Sequence, residues 1–187
     1  MKIAFVGKGG AGKTTVSSLF CLYYSKNKSV LAIDADINMH MAELLGLNAT
    51  SSDLLLSEKY PSDKIRTWLR GDNSRIKNNA EFKKSTPPGR GSRIIDITDN
   101  NWFINNYTRP ISKNLHLATV GSYSENGLAS SCYHNNLAIL ENILSHTNDS
   151  GVVAVDMVAG TDAFASTLYA QFDMLVFAVE STMRGLN

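Results

Sequence analysis

Apolar residues along the chain fall into five short, mostly apolar runs, several followed by stretches in which they recur every three or four positions. The runs are KIAFVG (2–7), SVLAIDAD (29–36), LHLATVG (115–121), GVVAVDM (151–157) and DMLVFAVE (173–180). Without polar alternation, runs of this length read as strands buried on both faces, the signature of a parallel sheet. After the first run, Val16, Leu19, Phe20 and Tyr23 recur at helical spacing and predict a helix over 13–26. Met41, Leu44 and Leu45 predict a short helix within 39–46, stopped by Gly46. Leu137, Leu140 and Leu144 share one face of a helix over 135–146, and DAFASTLYAQF predicts another over 162–172. Strand, helix and strand at the start of the chain make a βαβ unit with a right-handed crossover.

The stretch 48–114 is less regular. PSDKIRTWLR (61–70) predicts a helix with Ser62 as its cap, STPPGRG (85–91) a loop, and DITDNNWFINNY (96–107) has no clear period. The whole chain, 1–187, reads as one α/β domain, a doubly wound and mostly parallel sheet with an insertion-like region at 48–114. A parallel sheet needs cover on both faces, and no helix follows the last strand. The expectation is a C-terminally truncated domain, or one covered by something else.

With 187 residues, 43% of them hydrophobic and 19% charged, the chain can bury a real core. The net charge of +1 supplies no global field toward nucleic acid or membrane, but it conceals an asymmetry. Residues 59–93 hold ten Lys/Arg and three Asp/Glu, a net of +7, so the remainder sums to −6. That segment reads as a solvated face or a docking face for an acidic partner or nucleic acid; its low aromatic content argues against base stacking. Cys21 and Cys132 make no disulfide framework, and no apolar run approaches the ~20 residues of a membrane span. Met1-Lys2 leads straight into the first strand, without the h-region of a signal peptide. These features predict a cytoplasmic protein with reduced thiols and no membrane partner.

The chemistry concentrates in GKGGAGKTT, residues 7–15. Gly7, Gly12, Lys13 and Thr14 have the spacing of a Walker A phosphate loop, with a strand before it and a helix after. Gly7, Gly9, Gly10, Ala11 and Gly12 would turn backbone N–H groups inward around phosphates, and the helix start would add its positive dipole end. Lys13 would reach the terminal phosphates, Thr14 would ligate Mg²⁺, and Thr15 would line the same loop. The pattern does not require a second lysine at position 8. Asp34 and Asp36 end the second strand, and Asp156 ends the fourth, where open α/β sheets place ligand chemistry.

GKGGAGKTT resembles the deviant Walker A motif of the SIMIBI ATPases, the MinD/ParA/NifH group. The resemblance implies that this is an ATPase which dimerises around MgATP. Lys8 would then reach across a homodimer to the partner's nucleotide, a cation supplied in trans. DAD (34–36) and VVAVDMVAG (152–160) match that group's switch motifs. The implied roles are water positioning for Asp36, metal contact or loop support for Asp34, Mg²⁺ through water for Asp156, and a backbone N–H at Gly160 toward the γ-phosphate. The base, adenine, is assigned by the resemblance alone.

Three longer stretches, 85–100, 115–140 and 152–182, resemble the CooC-type accessory ATPases that help insert nickel into carbon monoxide dehydrogenase. The resemblance implies a metalloenzyme client. That family carries Cys-x-Cys, four thiolates per dimer; here the place reads Ser130-Ser131-Cys132. Two thiolates can hold a soft metal such as Ni²⁺ or Zn²⁺ only with added ligands, for which His134 is a candidate. The other reading is that Cys132 and His134 are merely structural or surface groups. The alternative function is a ParA/MinD-like positioning or partition ATPase whose output is binding to DNA or a protein. Cys21 reads as core, His40, His116 and His146 share no metal spacing, and Trp68 and Trp102 read as isolated packing residues.

Overall fold

Five of the six strands lie parallel in one sheet, in the order β3-β4-β2-β5-β1-β6. The computed structural model describes residues 1–48, 54–98, 100–121, 133–158 and 167–181. In chain order the elements are β1 (Lys2–Gly7), α1 (Lys13–Tyr24), β2 (Val30–Ala35), α2 (Met41–Leu44), α3 (Lys59–Arg70) and α4 (Trp102–Tyr107). They continue with β3 (Arg109–Ser112), β4 (Leu115–Thr119), α5 (Tyr133–Ser145), β5 (Val152–Met157), a 3₁₀ helix (Thr167–Gln171) and β6 (Met174–Ala178). This is the doubly wound α/β fold that the apolar runs predict.

β2 and β5 sit centrally, and all six residues of each are buried. Their register pairs Ile33 with Val155 and Asp34 with Asp156, which brings both acids to the same end of the sheet. One core layer lies between the sheet and α3, α4 and α5, built on Leu31, Ile33, Ile65, Phe103, Leu140 and Val155. The other lies under α1 and α2, built on Ile3, Phe5, Cys21, Ala32, Met41 and Leu117. Burial pushes the Cys21 thiol up to about 12, with the nearby Asp156 carboxylate adding to it.

Several expectations are corrected. α1 has the predicted helical period, but Val16, Leu19 and Tyr23 are exposed at 44%, 61% and 67%, while Lys13, Ser17, Ser18 and Cys21 face the sheet. Small residues let the helix start lie close against the strands, and the site needs Lys13 inside. β6 was expected to be buried but is an edge strand, paired with β1 alone among the described residues; Met174 and Phe177 are more than half exposed. α3 begins after Glu58, so Ser62 is a buried position inside the helix and not its cap. Of the helix expected over 162–172, the described part is a 3₁₀ helix. The 96–107 stretch holds α4, capped by the Asn101 side chain, which accepts from the N–H groups of Phe103 and Ile104. β3, also unforeseen, adds an antiparallel edge. Trp68 and Trp102 are not isolated: they stack, with ring centroids 5.4 Å apart.

Candidate functional site

The loop between β1 and α1 takes its shape from its glycines. A Cβ on Gly7 would lie 2.2 Å from the carbonyl oxygen of Ala178, so only glycine lets β1 and β6 stay paired there. Gly12, at φ +82°, is the N-cap of α1, a left-handed conformation that glycine adopts freely. No side chain caps this helix and its first turn holds no acid. The N–H groups of that turn are therefore left to a ligand, the arrangement that binds phosphate.

Above the loop is a cavity of about 600 Å³. Lys8, Gly9, Gly10, Gly12, Lys13, Thr14 and Thr15 form one side, and Asp36, Asn38, His40, Glu43 and Leu44 the other. Ala11 closes the loop by donating its N–H to the Lys8 carbonyl at 3.2 Å. The Lys8 side chain is exposed at the cavity mouth and has no partner among the described residues. Glu180 was not anticipated; its Oε1 lies 3.7 Å from where a Gly10 Cβ would stand.

Lys13 is 4% exposed and does not point into open space. Its Nζ donates to Asp156 Oδ1 at 2.7 Å and to Asp36 Oδ2 at 3.0 Å. One ammonium thus ties together the ends of β2 and β5. The second Asp36 oxygen, Oδ1, accepts from the backbone N–H and the side-chain amide of Asn38, each at 3.0 Å. Burial pushes the Asp36 carboxyl up, but the Asn38 N–H and Lys13 outweigh it and hold the group below its usual range. Asp156 is fully buried, and burial raises its pKa against the opposing pull of Lys13.

Asp34 lies beneath the loop that follows β2. Its Oδ2 accepts the Met41 N–H at 2.9 Å and its Oδ1 the Asp36 N–H at 3.1 Å. Both carboxylate oxygens therefore hold loop backbone, and burial pushes the group up to about 7 despite these bonds.

The donor set fits a hydrated divalent cation beside phosphates. Asp156 Oδ2 is buried without a hydrogen-bond partner among the described residues, and the nearby Thr14 hydroxyl favours the ionised form of the same carboxylate. An orphaned buried oxygen next to a hydroxyl is what such a cation would use. Gly160 and Cys132 lie outside the described residues. Among the described residues, no group of three or more His, Cys, Asp or Glu could hold a metal ion. Nor is any helix among them long and apolar enough to cross a membrane.

Sequence reasoning missed Asn38, His40 and Glu43. Asn38 had a signal, because an amide two residues after a carboxylate readily closes an Asx-type turn.

Comparison with known proteins supplies the family and the fold. Residues 3–179 match the family model described as the CobQ/CobB/MinD/ParA nucleotide binding domain. The carbon monoxide dehydrogenase accessory protein CooC of Rhodospirillum rubrum is 29% identical over 190 residues, an alignment that covers all of this chain and 65% of that protein. An uncharacterized ATP-binding protein of Methanocaldococcus jannaschii is 26% identical, again covering all of this chain and 65% of the relative. The chain thus spans 65% of the length of these curated relatives. A plasmid partition protein of Borrelia burgdorferi B31, solved with AMPPNP, superposes with a TM-score of 0.55 at 17% identity. That superposition covers 99% of this chain and 63% of the other, and it shows a shared fold.

Proposed function

The chain belongs to the CobQ/CobB/MinD/ParA nucleotide-binding domain family, and from that premise we propose that it is a MgATP-dependent switch ATPase acting as a CooC-like accessory factor for a metalloenzyme. The observation that carries the reading is the position of Lys13 Nζ, held between Asp36 and Asp156 at the floor of the glycine-loop cavity.

Lys13 pairs with both acids and ties the loops after β2 and β5 to the phosphate loop. An entering triphosphate offers Lys13 a stronger anion, and the loop N–H groups bind the same phosphates. As Lys13 turns to them, Asp36 Oδ2 loses its cation and becomes free to orient an attacking water. Thr14 and Asp156 would hold Mg²⁺, which supplies neutralisation of the charge that develops on the phosphates. Lys8, exposed at the cavity and unpaired among the described residues, is available to a second copy and would complete the site in trans. Homodimerisation then reports nucleotide state to a client. Cytoplasmic ATP suits this reading, and nickel or zinc enters only as cargo, with Cys132 its candidate ligand.

The test is equilibrium binding of a fluorescent ATP analogue together with phosphate release and light scattering. Lys13→Ala loses binding. Asp36→Ala keeps binding, and its turnover falls about 100-fold, the usual scale for removing one group that orients the reaction. Lys8→Ala keeps binding but no longer doubles its mass with a non-hydrolysable analogue. Normal turnover in Asp36→Ala or Lys8→Ala would overturn the mechanism.

A further inference from the structure

Residues 59–93 stand apart electrostatically from the rest of the molecule. Among the described residues, the ion pairs are those of Lys13 and of the N-terminus with Asp149. None of the ten Lys/Arg in 59–93 has a carboxylate of a described residue within ion-pair distance. A few are used internally: Arg66 donates to Asn142 and Arg70 to the Lys77 carbonyl. Lys64, Arg75, Arg90 and Arg93 make no side-chain hydrogen bond within the described protein. Like charges held close repel one another, so a chain that keeps them unpaired forgoes stability.

The cations surround an aromatic floor. Trp68 and Trp102, both half-buried, stack at 5.4 Å with their planes 20° apart, and the Arg93 guanidinium lies 5.8 Å over Trp68. With Lys64 and Arg70 they line a depression of about 350 Å³. Asp72 joins it to a second depression, of about 640 Å³, edged by Asn73, Arg75 and Arg90. A concave patch of Trp and Arg is the composition that dominates protein interfaces energetically. Fully solvated charge would not need the tryptophans.

The details select the partner's chemistry. The two rings cover each other and Arg93 covers Trp68, so bases have no platform to stack on. Asp72 lies between the depressions, where it repels phosphate but can accept N–H groups from a peptide backbone. The surface also lies away from the phosphate loop. Arg93 bonds back to the end of α3, and Ile95 pairs with Thr147, ahead of the first residue of β5. The phosphate loop follows the opposite end of the parallel strands.

We propose that residues 59–93 with Trp102 form a docking surface for an acidic segment of a partner protein. An apolar side chain of that segment seats in the depression against the edges of Trp68 and Trp102, while its carboxylates meet Arg75, Arg90 and Arg93. Nucleotide and partner then bind at opposite ends of the parallel strands, and both can be held at once.

The chain has two tryptophans and both line this surface, so their emission reads it directly. The experiment titrates the full chain with a synthetic peptide of alternating glutamate and leucine, and separately with a random-sequence DNA duplex. The expected result is a saturable change in tryptophan emission with the peptide, weakening as salt rises from about 50 to about 200 mM. The combined Arg75→Glu, Arg90→Glu, Arg93→Glu variant should bind it at least about tenfold more weakly while its circular dichroism stays native. No emission change up to about 1 mM peptide, or equal affinity in the variant, overturns the proposal. So does a duplex that moves the emission at lower concentration than the peptide and loses this in the variant, which would make the surface a nucleic-acid site.

Discussion

Lys13→Ala tests the ammonium clamp through stability as well as through binding. The substitution removes the cation within 4 Å of Asp36 and Asp156. Asp156 has no exposed surface, and taking one partner from a buried pair costs roughly 3–5 kcal/mol. Asp36 keeps its Asn38 bonds, so the lower end of that range applies, about 3 kcal/mol. With a urea slope of about 2–3 kcal/mol/M, the midpoint should fall by roughly 1–1.5 M near neutral pH.

The pH dependence has a definite sign. The folded pKa of Asp156 is already raised, so its favourable contribution is present below the unfolded value and lost as pH rises through the folded one. Without Lys13 that pKa rises further. Asp36 has a lowered folded pKa and contributes above its unfolded value, and part of this is lost with the lysine. Both effects enlarge the deficit of the variant at higher pH, so it should shrink toward about pH 5. Adding Asp156→Asn removes the stranded charge and should restore much of the loss. Urea melts of wild type, Lys13→Ala and the double variant at both pH values are the assay. A Lys13→Ala midpoint equal to wild type at neutral pH refutes the clamp, as does a deficit that Asp156→Asn leaves untouched.

Gly7→Ala places a methyl 2.2 Å from the Ala178 carbonyl and should cost about 1–3 kcal/mol, read as a lower thermal midpoint with β6 amides exchanging faster by hydrogen exchange. Asp34 has a folded pKa raised to about 7, so its contribution to stability is full below its unfolded value and declines as pH rises toward neutral. Asp34→Asn should flatten that decline, by up to about 1.4 kcal/mol per pH unit within the window; thermal midpoints across it with an unchanged slope would contradict the assignment.

β1, β2, β4 and β5 were legible because burial on both faces leaves mostly apolar runs, and the loop because its glycine and lysine spacing fits phosphate binding. The orientation of α1 was not. Its apolar stripe at Val16, Leu19 and Tyr23 has the right period but turns outward, because Lys13 has to reach the acids and Ser17 and Cys21 allow close approach. β3 and α4 escaped notice because Arg109–Ser112 is a short edge and α4 spans six residues started by an asparagine cap, too few for a period to show. The acids at 34, 36 and 156 could be placed at strand ends from sequence. That Lys13 bridges two of them, while the third braces backbone, depends on the β2–β5 register, which no local pattern encodes.

The burial of Cys21 has a practical consequence. A thiol pushed up to about 12 and enclosed in the core offers almost no thiolate to an alkylating or oxidising reagent while the protein is folded. Of the two cysteines in the chain, Cys132 is the other. Any thiol that reacts quickly with maleimide in the native protein therefore reports on position 132.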